Sequence, residues 1–369
     1  MVVVTGSSGL VGSAPAAAFD AAGWVVRGVD RAPGCRTSVI ADLRDRHVRR
    51  AALQSADVLV HAAALHAPHV GRLADEEFRA VNVGMTAELL DNAARLDVRR
   101  VLYISSTSVY RHALVPTDRA VWVDEQLTPL PRDIYDETKL AAEDLVAACS
   151  VSSVTLRTAR CLPEPLPVLA RHLLHRAVDV ADVATAGVLA VTHAAAAGTF
   201  NISGPHPFHR DDCLALHRDA GAVLAGRAPD VFEAFRDRGW PVPDRLDRVY
   251  DSAAAANTFG YRPVRGVRQL LRDAADGPSA RVIRRQSRRA RVRRRLSSPA
   301  CPFPWARPKP TGQDPLNNAI AAGSEPTGPA STRTSFAGHS LMRRNGMESE
   351  FARELQNSAL PKSRQPHHK

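Results

Sequence analysis

The residues best suited to chemistry lie in "YDETK", where Tyr135 and Lys139 stand four apart. On a helix that spacing puts them on one face, one turn from each other. A free phenol has a pKa near 10, too high for a base at neutral pH. A nearby ammonium stabilises the phenolate, so the pair is expected to bring the tyrosine into a range where it exchanges a proton with a substrate hydroxyl. A serine hydroxyl at the C-terminal end of a strand, such as Ser106 in "YISSTSVY", can hydrogen-bond the reacting oxygen and orient it.

These groups need a scaffold, and the chain supplies a regular alternation. "MVVVT", "WVVRGVD", "DVLVHAAA", "RRVLYISS", "SVTLRTA" and "GTFNIS" read as short buried strands. Between them "SAPAAAFDAAG", "EEFRAVNVGMTAELLDNAARLD" and "DETKLAAEDLVAACS" carry helical periodicity. Alternating strands and helices predict an α/β fold, a doubly wound parallel sheet with helices on both faces. Pro15 lies in the first helix and is tolerable only if it falls in the first turn.

The turn after the first strand is "TGSSGLVG", with Gly6, Gly9 and Gly12 opening a helix. The first glycine permits a tight turn, the second lets backbone approach a pyrophosphate, and the third lets helix pack on strand. Ser8, Leu10 and Val11 complete a helix N-terminus whose free N–H groups suit phosphates. Asp30 ends the next strand, where a carboxylate accepts from ribose hydroxyls and repels a 2′-phosphate. NAD is therefore expected ahead of NADP, although Arg31 beside it pulls the other way.

At these residues the chain resembles the extended short-chain dehydrogenases/reductases, the NAD-dependent epimerase/dehydratase family, with a Rossmann-type sheet and a small C-terminal substrate-binding region. The resemblance spans roughly residues 1–276. It implies that Asp42 and Leu43 of "ADLRD" contact adenine, and that Ala62, Ala63 and Asn82 line the cofactor. It also implies that Ser106, Tyr135 and Lys139 are catalytic, the last two also touching the cofactor, and that Arg248 grips the diphosphate of a nucleotide sugar. The residues themselves leave other roles open: Asp42 as a solvated loop acid, His61 as a satisfied core histidine, Asn82 as a bridge between helices, and Arg248 as a surface partner of Asp247 or Asp251. Trp240 and Pro241 are expected to pack rather than bind. Arg157 ends a strand and Asp182 starts a helix as in the family, but the stretch between them is short where relatives carry a longer substrate-binding insertion.

The formal charge of +11 does not belong to this body. Residues 277–369 hold 18 of the 49 Lys+Arg and 5 of the 38 Asp+Glu, a net of +13, which leaves −2 for residues 1–276. The tail includes "RVIRRQSRRARVRRRL", is rich in Gly, Pro and Ser, and reads as disordered. Its expected behaviour is weak, non-specific attraction to nucleic acid. The organisation expected is a cofactor-binding domain over 1–160, the rest of the sheet with the substrate region over 161–276, and the tail over 277–369.

Five scattered cysteines form no C-x-x-C pair, which argues against a disulfide framework or a zinc site. No apolar run reaches membrane-spanning length, and a cytoplasmic home is expected. The function expected is hydride transfer on a sugar nucleotide or a related hydroxyl or carbonyl compound; a homodimer is compatible with it. Alternatives are an NAD(P)H-dependent carbonyl reductase of the same family and a non-catalytic nucleotide- or nucleic-acid-binding protein acting through the tail.

Overall fold

A computed structural model describes residues 1–115 and 118–275. The expected basic tail, 277–369, lies outside the described residues. In chain order the elements are β1 (Val2–Thr5), α1 (Leu10–Ala21), β2 (Val26–Asp30), β3 (Val39–Ile40), α2 (Arg46–Leu53), β4 (Val58–His61) and α3 (Asp75–Phe78). A π-helical stretch, Arg79–Gly84, joins α3 to α4 (Met85–Arg95). Then follow β5 (Arg100–Ser106), a 3-10 segment (Thr107–Leu114), β6 (Val121–Val123), α5 (Ile134–Ala148), β7 (Ser153–Thr158), α6 (Leu166–Leu173), α7 (Val180–Thr192) and β8 (Gly198–Ile202). The remainder is α8 (Cys213–Arg218), α9 (Ala220–Arg227), α10 (Pro229–Asp237), β9 (Arg248–Tyr250), α11 (Ala253–Phe259) and α12 (Val267–Ala275).

Seven strands form one sheet in the order β3-β2-β1-β4-β5-β7-β8, every pairing parallel. This is the doubly wound, Rossmann-like sheet expected. Alternation along β1 shows how it is sandwiched. Val2 and Val4 pack with Ala16 and Phe19 of α1 and with Val183, Ala186 and Ala190 of α7. Val3, pointing the other way, packs with Leu53 of α2, Leu89 of α4 and Ala142 and Val146 of α5. The chain reverses its direction of travel between β1 and β4, and open sheets of this kind bind ligands beyond the strand ends at that point.

A third apolar cluster joins α6, α8, α9, α10 and α12 with Ala120 and Val249. Trp240 packs there edge-on to Phe235, as expected. A parallel pair, β6 with β9, ties Val121–Val123 to Arg248–Tyr250. The short stretch after β7 is nonetheless filled, by α6 and a backbone bridge from Arg160 to Ala177.

The condition on Pro15 is not met. The helix starts at Leu10, so Pro15 is its sixth residue and sits in the second turn, giving up the bond to the Val11 carbonyl. The helix runs on because Ala16 and Phe19 beyond it are buried in the core. No helix among the described residues is long and apolar enough to cross a membrane.

Candidate active site

The glycine turn follows β1. Gly6 has φ +71°, and a Cβ there would lie 2.7 Å from the Ala63 nitrogen. At Gly12 a Cβ would lie 2.1 Å from the Gly6 carbonyl oxygen. Both must be glycine, and the turn is therefore pressed between the 62–63 loop and α1. Gly9 and Leu10 are exposed at the N-terminus of α1, whose first turn holds no acidic residue. That leaves backbone donors and a partial positive charge facing solvent, as an anion site requires.

Asp30 closes one side: its carboxylate accepts from Ser8 N at 3.1 Å and Ala32 N at 3.0 Å. The Ser8 and Ser7 hydroxyls each lie 2.7 Å from that of Thr37, so the 31–37 loop folds over the turn. Ala62 N and Ala63 N both donate to Thr5 Oγ1 at 3.2 Å. Thr5 in turn lies 2.7 Å from His61 Nδ1, and His61 Nε2 lies 2.9 Å from Thr86 Oγ1. Since Thr86 donates to the Asn82 carbonyl, His61 must carry its proton on Nε2. Burial pushes His61 down to about 3, so it is a neutral, satisfied core histidine.

Three expected cofactor contacts have protein partners of their own. Leu43 is buried with Val29, Val39 and Val48, so its side chain is part of the core. Asp42 forms an ion pair with Arg44 at 2.6 Å, which holds its carboxyl below the usual range. Asn82 is buried and fully engaged. It accepts from Leu65 N at 2.8 Å and donates to Leu65 O at 2.9 Å and to Thr138 Oγ1 at 3.0 Å. It is the bridge that fixes the 62–65 loop against α5, the second of the roles the residue left open.

The chemistry residues do converge. Asp133 caps α5 by accepting from Tyr135 N at 3.1 Å and Asp136 N at 3.2 Å. This sets Tyr135 in the first turn, where its side chain packs against the Leu65, Phe78 and Ile134 cluster and its phenol lies close enough to the Ser106 hydroxyl for that group to act on its titration. Lys139, one turn on, is buried. Its Nζ donates to the Ile104 carbonyl at 2.6 Å and lies 4.3 Å from the centre of the Tyr103 ring. The expected lowering of the phenol is absent. Burial pushes Tyr135 up to about 12, and burial pulls Lys139 down to about 7. The physical reason is that the ammonium is turned to a β5 carbonyl, while the charges acting most on Tyr135 are Asp136, Arg111 and Asp133.

Beneath the pair, Glu143 and Arg157 form a buried ion pair at 2.6 Å. Ser105 donates to Glu143, and Arg157 donates to the Tyr110 hydroxyl at 2.6 Å. This network locks α5 onto β5 and β7, so the spacing of Ser106 and Tyr135 is fixed from below. Sequence reading placed Arg157 at the strand end but found no partner for it.

Arg248 pairs with Asp247, its Nε at 2.9 Å. Sequence reading missed its companions. Arg176 donates to His172 Nε2 at 2.6 Å, and its own Nε is buried without a partner among the described residues. Glu164 takes His172 and Arg160, the latter at 2.6 Å. Burial lowers His172 to about 4, so it is neutral and accepts from Arg176. Arg176 feels Asp247, Arg248 and Arg160, which makes one cluster of three guanidiniums against two carboxylates. The signal that could have found it is "HRAVDVAD", which puts Arg176 just before the helix of Asp182.

Residues 2–161 match the NAD dependent epimerase/dehydratase family. A 3 beta-hydroxysteroid dehydrogenase/Delta 5-->4-isomerase of Mycobacterium tuberculosis is 35% identical over 159 residues, 40% of this chain and 42% of that protein. A dTDP-4-dehydrorhamnose reductase of Mycolicibacterium smegmatis is 31% identical over 160 residues, 43% of this chain and 45% of that one. The chain thus matches less than half the length of these curated relatives. Among solved structures, a short-chain dehydrogenase/reductase superfamily protein from Agrobacterium tumefaciens with bound NAD is 25% identical, with TM-score 0.57, over 80% of this chain and 100% of that chain. A UDP-glucuronic acid 4-epimerase from Bacillus cereus in complex with UDP-glucuronic acid and NAD is 19% identical, with TM-score 0.54, over 73% and 96%; it shares the fold. Over residues 2–161 the chain is thus similar to the NAD dependent epimerase/dehydratase family.

Proposed function

We propose that the chain is an NAD-dependent oxidoreductase of the epimerase/dehydratase kind that acts on a hydroxyl or carbonyl group of a nucleotide sugar. The observation that carries the reaction type is the convergence of Ser106, Tyr135 and Lys139 with the Gly6–Gly12 turn at the strand ends. The residues fit a dinucleotide: the turn admits no Cβ at Gly6 or Gly12, the exposed start of α1 suits the pyrophosphate, and Asp30 suits a ribose diol. NAD is also bound in the Agrobacterium relative. When bound, the nicotinamide supplies the hydride acceptor or donor. Ser106 orients the reacting oxygen, Tyr135 takes or returns its proton, and Lys139, donating to the Ile104 carbonyl, braces α5 on β5 one turn from the phenol.

The three arginines favour a phosphorylated substrate, because the cluster carries one guanidinium more than its carboxylates neutralise. Arg176→Ala is expected to raise KM for a UDP-sugar about 10- to 100-fold, the loss of one charge-assisted contact, with kcat nearly kept. Kinetics on a panel of UDP- and dTDP-sugars checks this; unchanged KM for a turned-over sugar nucleotide contradicts it.

A second reading is oxidation of an apolar alcohol, supported by the hydroxysteroid dehydrogenase relatives and by exposed Val115, Leu130, Leu162 and Leu166 on segments leaving β5 and β7. An epimerase regenerates its cofactor, so reduced nicotinamide does not accumulate. Steady accumulation with a hydroxysteroid and none with sugar nucleotides favours the second reading.

A further inference from the structure

The segment after β5 carries a charged residue that the site so far does not use. Arg111 lies on the 3-10 segment behind Ser106, whose backbone is pinned to the loop before α5 by His112 N donating to Leu130 O at 2.9 Å. Its guanidinium reaches the first turn of α5. Nη1 donates to Asp133 Oδ2 at 3.1 Å, and Nε lies 3.5 Å from Asp136 Oδ2. Asp133 is the helix cap that holds the Tyr135 backbone, and Asp136 is wholly buried next to it. One cation thus serves two carboxylates that flank the tyrosine in sequence and in space.

We infer that Arg111 is a positioning residue for Tyr135, fixing the first turn of α5 through Asp133 and Asp136 and supplying the cation that Lys139, turned toward the Ile104 carbonyl, does not place beside the phenol. This rests on the reading of Tyr135 as the proton-transfer group. The direction of each influence agrees with the geometry: Arg111 favours the phenolate, and Asp133 and Asp136 oppose it. The other groups facing the pair are Ser106 and Tyr103 from β5, Lys139 from α5, and Arg132, 3.6 Å from Asp133. The Leu65, Phe78 and Ile134 cluster on which Tyr135 packs is apolar. Without Arg111, Asp136 loses its ion pair, Asp133 keeps only the more distant Arg132, and the phenol holds its proton more tightly.

The test needs no substrate. The full chain is labelled with fluorotyrosine, whose ring fluorine lowers every phenol pKa and brings the titration into the folded range. Tyr135 is assigned by the fluorine resonance lost in Tyr135→Phe, and its titration midpoint is followed by NMR. Arg111→Gln should raise the midpoint by about one pH unit, and Arg111→Lys should restore it. Asp136→Asn should lower the midpoint, which keeps the idea testable if Arg111→Gln does not fold. An unmoved or lowered midpoint in Arg111→Gln overturns the inference. So does failure of the lysine to restore it, or a rise in Asp136→Asn. Turnover surviving in Tyr135→Phe sinks the base assignment instead, and the two failures are separable because the titration reads no activity.

Discussion

Tyr135→Phe is expected to lower turnover about a thousandfold while NAD affinity stays within about twofold. The Ser106 hydroxyl acts on this phenol, and phenylalanine keeps its packing against Leu65, Phe78 and Ile134. His61 cannot substitute, since it is buried, neutral and paired at both nitrogens. Lys139 lies one helical turn away and donates to a carbonyl. The phenol stands at about 12 in the structure, so the base form is scarce at neutral pH. Oxidation of a hydroxyl should therefore speed up as pH rises, because the base must first lose its proton. Reduction of a carbonyl, which needs the protonated phenol, should not show that rise. Stopped-flow rates across pH check both signs, and a Tyr135→Phe enzyme with near wild-type rate contradicts the assignment.

Gly12→Ala is expected to reduce NAD affinity at least a hundredfold and to destabilise the fold by roughly 1–3 kcal/mol, as an overpacked contact does. The added methyl would stand 2.1 Å from the Gly6 carbonyl oxygen and 2.7 Å from its carbon. Gly6 cannot retreat, because its own position is set against the Ala62 and Ala63 backbone. The turn must open, and the N–H groups at the start of α1 lose their aim. Gly23→Ala is the control. It makes the same chemical change at φ +87° in open space, so it should cost about 1–3 kcal/mol and leave NAD binding unchanged. Thermal melts and calorimetry of both variants distinguish a blocked turn from general loss of stability.

The sheet was legible because β1, β4, β5 and β7 are buried apolar runs bounded by turns, and buried strands announce themselves that way. The glycine turn was legible for the same local reason. What stayed hidden depends on partners far along the chain. β3 has two residues and α2 is charged, with Arg49 buried where it donates to Leu43 O at 2.7 Å and Arg44 O at 2.6 Å and pairs with Glu88. The pairing of β6 with β9 joins three-residue strands more than a hundred positions apart. Nothing local to α5 marks Glu143, which gains its partner Arg157 only from β7. Tyr135 and Lys139 were found by spacing, yet spacing gave the wrong sign for the phenol, since a four-residue interval says nothing of how deeply either group is buried or which carbonyl takes the ammonium.

The most direct test of the account is a calorimetric titration of the full chain with NAD and with NADP, repeated on Asp30→Ala. The predicted result is one NAD site, at least tenfold tighter than NADP, with that preference lost in the variant because the carboxylate no longer accepts from the ribose or repels a 2′-phosphate. Absence of binding by either dinucleotide, or tighter binding of NADP by the unaltered chain, contradicts the account.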